Sequence, residues 1–257
     1  MKKTTTIATA VISLVITGAG SAAASIDFES PTYSVGDITL QDAWVDGNTT
    51  DITATSPIAG GQSAISTDIS PITSIYDVRD IRGERIWADG SRISTLFRSD
   101  DNGTAGSFFD FRFDSDAGFL GDVTVNSWNG LLNVDAHDGT VVGSITAGTP
   151  YQIVVEFNFT ANTYDVILQT VNPANPSFVT GTVGTAPGIN FGNPSSAAQA
   201  ALRMDLRLRA QNGGAGVAGA RMLWDNMLIE SVVPEPSTLA LFAMGAAAFG
   251  MRRARRR

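Results

Sequence analysis

Apolar and polar side chains alternate along the middle of this chain with a period of two residues. Phe109, Phe111 and Phe113 alternate with charged residues. The same pattern runs over residues 151–159 and, after four turn-forming residues, resumes at residues 164–168. Because successive side chains of a β-strand point to opposite faces, this alternation predicts strands with one buried face, and the last two segments predict a hairpin.

Further short strands are predicted on both sides of this region. Turns rich in Asn, Asp and Gly separate them, as at residues 128–130 and 137–139. The predicted segments are residues 26–29, 93–98, 123–127, 131–135, 141–145, 204–210 and 223–229. Such a succession predicts an all-β protein, an antiparallel β-sandwich or barrel.

Three segments of the same region do not fit a strand pattern. Residues 172–194 hold four prolines and several glycines, and residues 212–219 are rich in glycine. Both compositions predict surface connections. The alanine-rich residues 195–202 are the one stretch of the body for which a helix is predicted.

The first residues have the form of a secretory signal peptide. Lys2 and Lys3 precede an apolar region, and a run of small residues follows it. Ala22 and Ala24 fit the small-residue pattern that signal peptidase requires. We therefore predict that signal peptidase removes residues 1–24 and that the mature chain begins at Ser25.

The other end of the chain has the form of a membrane segment. Residues 238–251 are apolar, and a helix of that length spans about 21 Å, less than the ~30 Å hydrocarbon core of a bilayer. A longer helix starting near residue 232 would place Pro234 and Pro236 in its first turn, where proline is tolerated. Arginines at the very end favour a cytoplasmic terminus, with the body outside, and they are Arg252, Arg253, Arg255, Arg256 and Arg257.

Between these ends, residues 25–231 have the size of one domain. This body contains 24 acidic residues, ten arginines and no lysine, so its formal net charge is −14. Such a charge disfavours nucleic-acid binding and attracts cations. The chain has no cysteine, which excludes disulfides and thiol chemistry.

The last 26 residues resemble a known sorting signal. A Pro-Glu-Pro element, an apolar stretch and a terminal arginine cluster follow one another, and the element reads Val233, Pro234, Glu235, Pro236, Ser237. Residues 232–257 thereby resemble the PEP-CTERM signal of Gram-negative exopolysaccharide-producing bacteria. The resemblance implies an exosortase as processing partner, release of the tail near the prolines, and delivery to the cell surface or extracellular matrix from a precursor held in the inner membrane.

The body carries a second, shorter resemblance. It opens with Asp27-Phe28-Glu29-Ser30, Tyr33, Gly36 and residues 40–44, and it closes with residues 224–229. These segments are similar to the first and last strands of concanavalin A-like, or laminin-G-like, jelly rolls. The resemblance implies that the two end strands lie in one sheet. That fold hosts lectins, glucanases, lyases and structural modules, so it leaves the function open.

Two groups of aspartate are candidate calcium ligands. Loop carboxylates and amides supply the oxygen atoms that this ion prefers in extracellular proteins. The candidates are Asp100, Asp101, Asn102, Asp114 and Asp116. The set is incomplete for an EF-hand, and the alternative is that these residues form ordinary hairpin tips.

Tryptophan and asparagine give the candidate glycan site. Trp87 and Trp128 could stack on sugar rings, and Asn126 and Asn129 lie next to Trp128 in the sequence. The alternative is a place in the core, where tryptophan is highly buried on average.

Catalytic signatures of the fold are missing. The four glutamates of the body are scattered, so the Glu-x-Asp-x-x-Glu strand of glucanases is absent. The lone histidine, His137, lies in a His-Asp-Gly sequence that predicts a turn. The sequence thus predicts no enzyme but an exported structural or adhesive protein of the envelope or exopolysaccharide matrix. A lectin-like glycan-binding module is the first alternative, and a divergent polysaccharide hydrolase or lyase is the second.

Overall fold

The computed structural model describes most of the body of the chain. The described residues are 22–39, 41–42, 44–45, 50–67, 77–80, 87–100, 106–115, 118–128, 130–193, 205–212 and 220–231. They belong to one compact unit, Ser21–Val233. Most of the predicted signal peptide, the alanine-rich residues 195–202 and the tail lie outside the described residues.

Nine of the described strands form one antiparallel sheet, in the order β14-β13-β12-β7-β16-β5-β4-β2, with β1 paired to β16. Their bounds are β1 (Ala22–Ile26), β2 (Gly36–Asp37), β4 (Thr50–Thr53), β5 (Ser63–Thr67), β7 (Arg92–Ser99), β12 (Tyr151–Asn158), β13 (Thr163–Asn172), β14 (Asn175–Asn190) and β16 (Arg221–Ser231).

The second antiparallel sheet has seven strands in the described part of the chain, in the order β11-β10-β9-β8-β15-β6-β3. Their bounds are β3 (Trp44–Val45), β6 (Asp77–Asp80), β8 (Ser107–Ser115), β9 (Gly118–Trp128), β10 (Leu131–Ala136), β11 (Val141–Ser144) and β15 (Asp205–Asn212). The predicted all-β sandwich is confirmed.

The core lies between the two sheets and is rich in aromatic rings. Phe113 of β8 packs edge-on against Tyr164 of β13, with ring centroids 5.0 Å apart, and against Phe157 of β12 at 5.1 Å. Phe111 stacks on Trp224 of β16 at 6.1 Å. These rings are fully buried. The alternation that predicted the strands therefore places one side chain in two in the interior.

The opening motif of the body is a small packed unit. Phe28, Tyr33 and Trp44 are buried against one another. The Trp44 indole donates to the Tyr33 hydroxyl (3.2 Å), which donates to Asp42 Oδ2 (2.7 Å). The amide of Gln41 closes the turn by donating to the carbonyl oxygens of residues 34 and 37. The motif thus fixes the first loop onto the core through both aromatic packing and hydrogen bonds.

The first strand lies upstream of the predicted one. β1 pairs with β16 from Ala22 opposite Ser231 to Ile26 opposite Met227, so the end strands share a sheet as predicted. The predicted strand 26–29 is wrong beyond Ile26, because Phe28 adopts φ 58°, which ends an extended strand. The predicted signal cleavage after Ala24 falls inside β1.

The proline-rich segment 172–194 is largely a strand, so the prediction of a surface connection is wrong there. β14 covers 16 of these residues and pairs with β13. It forms an end of the nine-stranded sheet, and its register with β13 shifts at four places. Proline is tolerated at edges and bulges because no ladder hydrogen bond is needed from it there.

Candidate functional site

The outer face of the seven-stranded sheet is polar over its central strands. On β9, Val123 and Val125 face the core, while Asp122, Thr124 and Asn126 alternate with them and are part-buried. β8 and β10 follow the same alternation on either side. Antiparallel pairing with β9 therefore brings polar side chains from three adjacent strands together on one face.

These side chains line a groove of about 390 Å³. The lining residues come from β8, β9, β10 and the turn after β10, and they are Phe108, Asp110, Asp122, Thr124, Asn126, Asp135, Ala136, His137 and Gly139. The set combines three carboxyl groups, one amide, one hydroxyl, one imidazole and one phenyl ring. Such a mixture of polar groups beside an apolar surface is typical of small-molecule sites.

Thr124 lies at the centre of the groove. In the register it faces Asp110 of β8 on one side and Asp135 of β10 on the other. Its hydroxyl is 2.9 Å from Asp110 Oδ1 and 3.4 Å from Asp122 Oδ1. These two carboxylate oxygens therefore lie at most about 6.3 Å apart, which is the length of the two hydrogen bonds laid end to end.

Asp135 forms the other wall of the groove. Its Oδ2 accepts a hydrogen bond from the Asn126 side-chain amide at 2.9 Å. Its Oδ1 is shielded from solvent and accepts no hydrogen bond from the described residues. A shielded acceptor without a donor is unfavourable, so this carboxyl group favours a neighbouring group that donates.

His137 closes one end of the groove. It follows β10 in a turn in which Gly139, with φ 84°, donates its N–H to the Ala136 carbonyl, so the predicted turn is confirmed. Its Nδ1 is 2.9 Å from the hydroxyl of Tyr164. That hydroxyl is also 3.0 Å from the Asp122 carbonyl oxygen. The Tyr164 hydroxyl donates its hydrogen bond to this carbonyl oxygen, so towards His137 it acts as the acceptor. His137 therefore carries its hydrogen on Nδ1, and Nε2 is left as an acceptor.

Burial determines the protonation of this pair. It lowers the pKa of His137, which therefore stays neutral at pH 7. Burial also raises the pKa of Tyr164, so the phenol keeps its proton. The adjacent Asp138 is exposed and accepts from the Thr140 N–H at 2.9 Å. The neutral imidazole of His137, held in place by Tyr164, therefore offers the groove a group that can form a hydrogen bond.

Arg112 lies on the same face as the groove but is not part of its lining. Its Nε donates to Asp114 Oδ1 at 2.9 Å, and its guanidinium carbon lies 4.4 Å from the centroid of the Phe119 ring. These two contacts fix the cation beside β9.

The residues predicted as a glycan site are dispersed. Asn126 lies in the groove. Trp87 is 1% exposed and packs edge-on against Phe157, so the prediction that its ring stacks on a surface sugar is wrong. Trp128 ends β9, and its side chain, like Asn129, lies outside the described part. Phe108 is the aromatic ring that the structure places in the groove.

The calcium candidates do not form one cluster in the described part of the chain. Asp100 is paired with Arg98 Nε at 3.2 Å, whereas Asp114 is buried and paired with Arg112. Asp101, Asn102 and Asp116 lie outside the described residues. Among the residues described, no group of three or more acidic or histidine side chains is placed to hold a metal ion.

A second carboxylate cluster, away from the groove, connects the two motifs at the ends of the body. The buried Asp225 accepts from the Ser63 hydroxyl (2.7 Å) and the Ala59 N–H (2.9 Å) through Oδ2. Glu29 Oε1 accepts from the N–H groups of Gly61 (2.7 Å) and Gln62 (3.2 Å). We call the loop of residues 59–63, held by these two carboxylates, the clamped loop. Burial raises the pKa of Asp225 to about 6.

Sequence reasoning missed most of the groove. Its signal is present, because Thr124 and Asn126 occupy alternate positions of the predicted strand 123–127, and Asp122 directly precedes that strand in the same alternation. Asp135 and His137 occupy alternate positions of the next segment. The polar side chains of two paired strands lie on one face of the sheet only if the pairing places them opposite one another. The register itself was not predicted.

Solved structures resemble the chain in fold. One is the cellulose-induced protein Cip1, at 13% identity and a TM-score of 0.47, over 80% of this chain and 96% of that one. Another is a sialidase, at 12% identity and a TM-score of 0.50, over 82% of this chain but 18% of the sialidase. Peanut lectin is similar at 12% identity and a TM-score of 0.44, over 81% and 97%. No curated protein matches the chain in sequence.

The described residues form the predicted all-β sandwich of two antiparallel sheets, and the first and last strands share a sheet as the resemblance of the opening and closing motifs implied. Residues 232–257 match the PEP-CTERM protein-sorting motif. This motif is an exosortase recognition signal, and it marks the chain for export and sorting to the cell surface. In the described part of the chain, we find no helix with the length and hydrophobicity needed to span a bilayer.

Proposed function

We propose that this protein is an exported adhesive component of the cell envelope or exopolysaccharide matrix, and that it binds a glycan in the groove on its seven-stranded sheet. The observation that carries the proposal is the groove lining, which brings hydrogen-bonding side chains from three strands together with the phenyl ring of Phe108. The sorting motif supports the location, since it directs the chain to the surface where such polymers lie.

The chemistry of the groove suits a sugar. Sugar rings present several hydroxyl groups around an apolar face. Carboxylate and amide groups such as Asp135 and Asn126 accept from and donate to neighbouring hydroxyls, while Phe108 offers a ring on which the apolar face packs. The Asn126–Asp135 hydrogen bond fixes both side chains before binding. A fixed site loses less entropy when the ligand binds.

Catalysis is the weaker candidate. Asp110 and Asp122 lie close enough to resemble the carboxyl pair of a retaining glycosidase, which are about 5–5.5 Å apart. Asp110, however, is 1% exposed, so a substrate does not reach it in this arrangement. We therefore propose binding without hydrolysis.

A glycan array with the compact body, residues 21–233, tests the binding proposal. We expect the wild type to bind at least one polysaccharide and Asn126→Ala to weaken that binding by up to about tenfold, the effect of losing a neutral hydrogen bond to a sugar hydroxyl. Asn133→Ala is the matched control, because Asn133 lies on the same face, accepts from the Ser144 hydroxyl and does not line the groove. Absence of binding, or equal loss in both variants, would refute the proposal. Release of reducing ends would indicate an enzyme instead.

Processing of the two ends completes the proposal. Signal peptidase cuts after Ala24, the C-terminal helix holds the precursor in the inner membrane, and exosortase removes the tail near Pro234 and Pro236. Replacing residues 234–236 by three alanines removes two prolines, each of which costs about 3 kcal/mol within a helix, so it improves a plain membrane helix. We expect this variant to be exported but to accumulate as a longer membrane-held precursor. If the wild type and the triple-alanine variant have the same mass and the same location, the proposed processing step is wrong.

A further inference from the structure

We infer that the groove selects a cationic amino sugar, such as a deacetylated hexosamine polymer, over neutral and acidic glycans. This inference rests on the proposed function, since it names the class of glycan that the same groove takes. Its basis is the balance of donors and acceptors around Asp135 and at the His137 end of the groove.

Asp135 is the carboxylate on which the inference depends. Its neighbours in the register are Thr124 on β9 and Val141 on β11, and neither carries a charge. Its one hydrogen bond within the described part comes from the neutral amide of Asn126. Oδ1 lacks a donor and is shielded from water. An ammonium group supplies both the missing donor and the opposite charge.

The other end of the groove also favours a ligand that donates. His137 is neutral and held through Nδ1, which leaves Nε2 as an acceptor. Among the side chains that the structure describes, the lining contains no lysine or arginine, and Arg112 outside it is already paired with Asp114 and packed over Phe119. A uronate or a sulfated sugar would therefore bring a negative charge into a groove lined by carboxylates. Such like charges repel at close range.

An N-acetylated sugar offers the groove less than the free amine does. Acetylation removes the charge and leaves one amide N–H in place of three ammonium donors. Neutral sugars can still use their hydroxyl groups on Asn126 and Phe108, so we expect them to bind more weakly rather than not at all. The predicted order is deacetylated hexosamine first, N-acetylhexosamine second and uronate last.

Titration calorimetry of the body with three hexasaccharides tests this order. The probes are hexaglucosamine, hexa-N-acetylglucosamine and hexagalacturonate, used at about pH 6, where the amino groups are protonated. We expect hexaglucosamine to bind the wild type about tenfold or more tightly than the acetylated probe, as a charge-assisted hydrogen bond provides. Asp135→Asn should reduce this preference to about twofold while retaining affinity for the acetylated probe.

Asp51→Asn is the matched control for total charge. Asp51 is an exposed carboxylate on β4 of the other sheet, so its removal changes the net charge equally but leaves the groove intact. We expect this variant to keep the wild-type preference. Equal affinity for all three probes, tightest binding of the uronate, or equal effects of the two variants would overturn the inference while the proposed function stands. Absence of binding to any sugar would instead refute the proposed function.

Discussion

The clamped loop makes the stability of the body depend on pH through one buried carboxyl group. Asp225 is fully buried, and its pKa is raised by burial from 3.8 to about 6. Because the folded state holds this proton more tightly than the unfolded chain does, the favourable contribution is present below about pH 4 and is lost as the pH rises through about 6.

The magnitude follows from the shift. One pKa unit corresponds to about 1.4 kcal/mol, so a rise from 3.8 to about 6 corresponds to about 3 kcal/mol. Asp225→Asn removes the titrating group. Its amide oxygen can still accept from the Ser63 hydroxyl and the Ala59 N–H, while the bond from the Asn226 N–H to Oδ1 is lost. That loss shifts the free energy of unfolding by a roughly constant amount at every pH.

Urea unfolding of the body at intervals from about pH 4 to about pH 8 measures the effect. We expect the free energy of unfolding of the wild type to fall by about 2.5 kcal/mol relative to Asp225→Asn across this range, most of the full effect. Asp51→Asn, which removes an exposed carboxylate, should follow the wild type. If the wild-type and Asp225→Asn curves stay parallel, or if the difference has the opposite sign, the reasoning about Asp225 is wrong.

Three further predictions follow from the core and the ends of the body. Mature protein from the native host should begin at Ser25 by peptide mass mapping. A mature chain that begins at Ala22, and so keeps all five pairings of β1 with β16, would contradict this prediction. Trp87→Ala should lower the free energy of unfolding by about 3–5 kcal/mol in denaturant titration without changing glycan affinity, because the ring is buried; unchanged stability would contradict this. Gly121→Ala should cost about 1–3 kcal/mol in thermal unfolding, since the new Cβ would lie 2.6 Å from the Tyr164 ring. In the same assay Gly181→Ala should cost less, because its Cβ meets a single hydroxyl at 3.2 Å.

The long central strands were predictable because their alternation is regular. Apolar side chains recur at every second position in residues 109–113, 151–159 and 164–168, and the structure contains β8, β12 and β13 there. Each packs apolar side chains on the core from one face and carries polar side chains on the other, which is the condition under which a period of two appears in the sequence. The tail was predictable for another reason, since its three parts are adjacent in sequence and need no tertiary contact to be recognised.

Short strands and edge strands were not predictable in the same way. β2 and β3 have two residues each, too few to establish a period. The segment that became β14 contains Pro176 and Pro187, which are ordinary loop signals. The two prolines are tolerated because β14 lies at the edge of the sheet and its register with β13 shifts. Both properties depend on tertiary structure and cannot be read from the segment itself.

The groove was beyond sequence reasoning because it depends on register. Asp110, Thr124 and Asp135 come from three strands and lie in one row only when both pairings are known. A slip of one residue in β9 would turn Thr124 into the core and leave no groove. Trp87 shows that local sequence can also suggest a surface site where there is none. Its charged sequence neighbours suggested a surface position, but the ring packs against Phe157 in the core.

A crystal structure of the body with bound hexaglucosamine tests the central claim most directly. We predict sugar density in the groove, with a ring against Phe108, a hydroxyl on Asn126 and the amino group within about 3 Å of an oxygen of the Asp135 carboxylate. Sugar bound at another surface, or an empty groove in crystals of a protein that binds the sugar in solution, would contradict it.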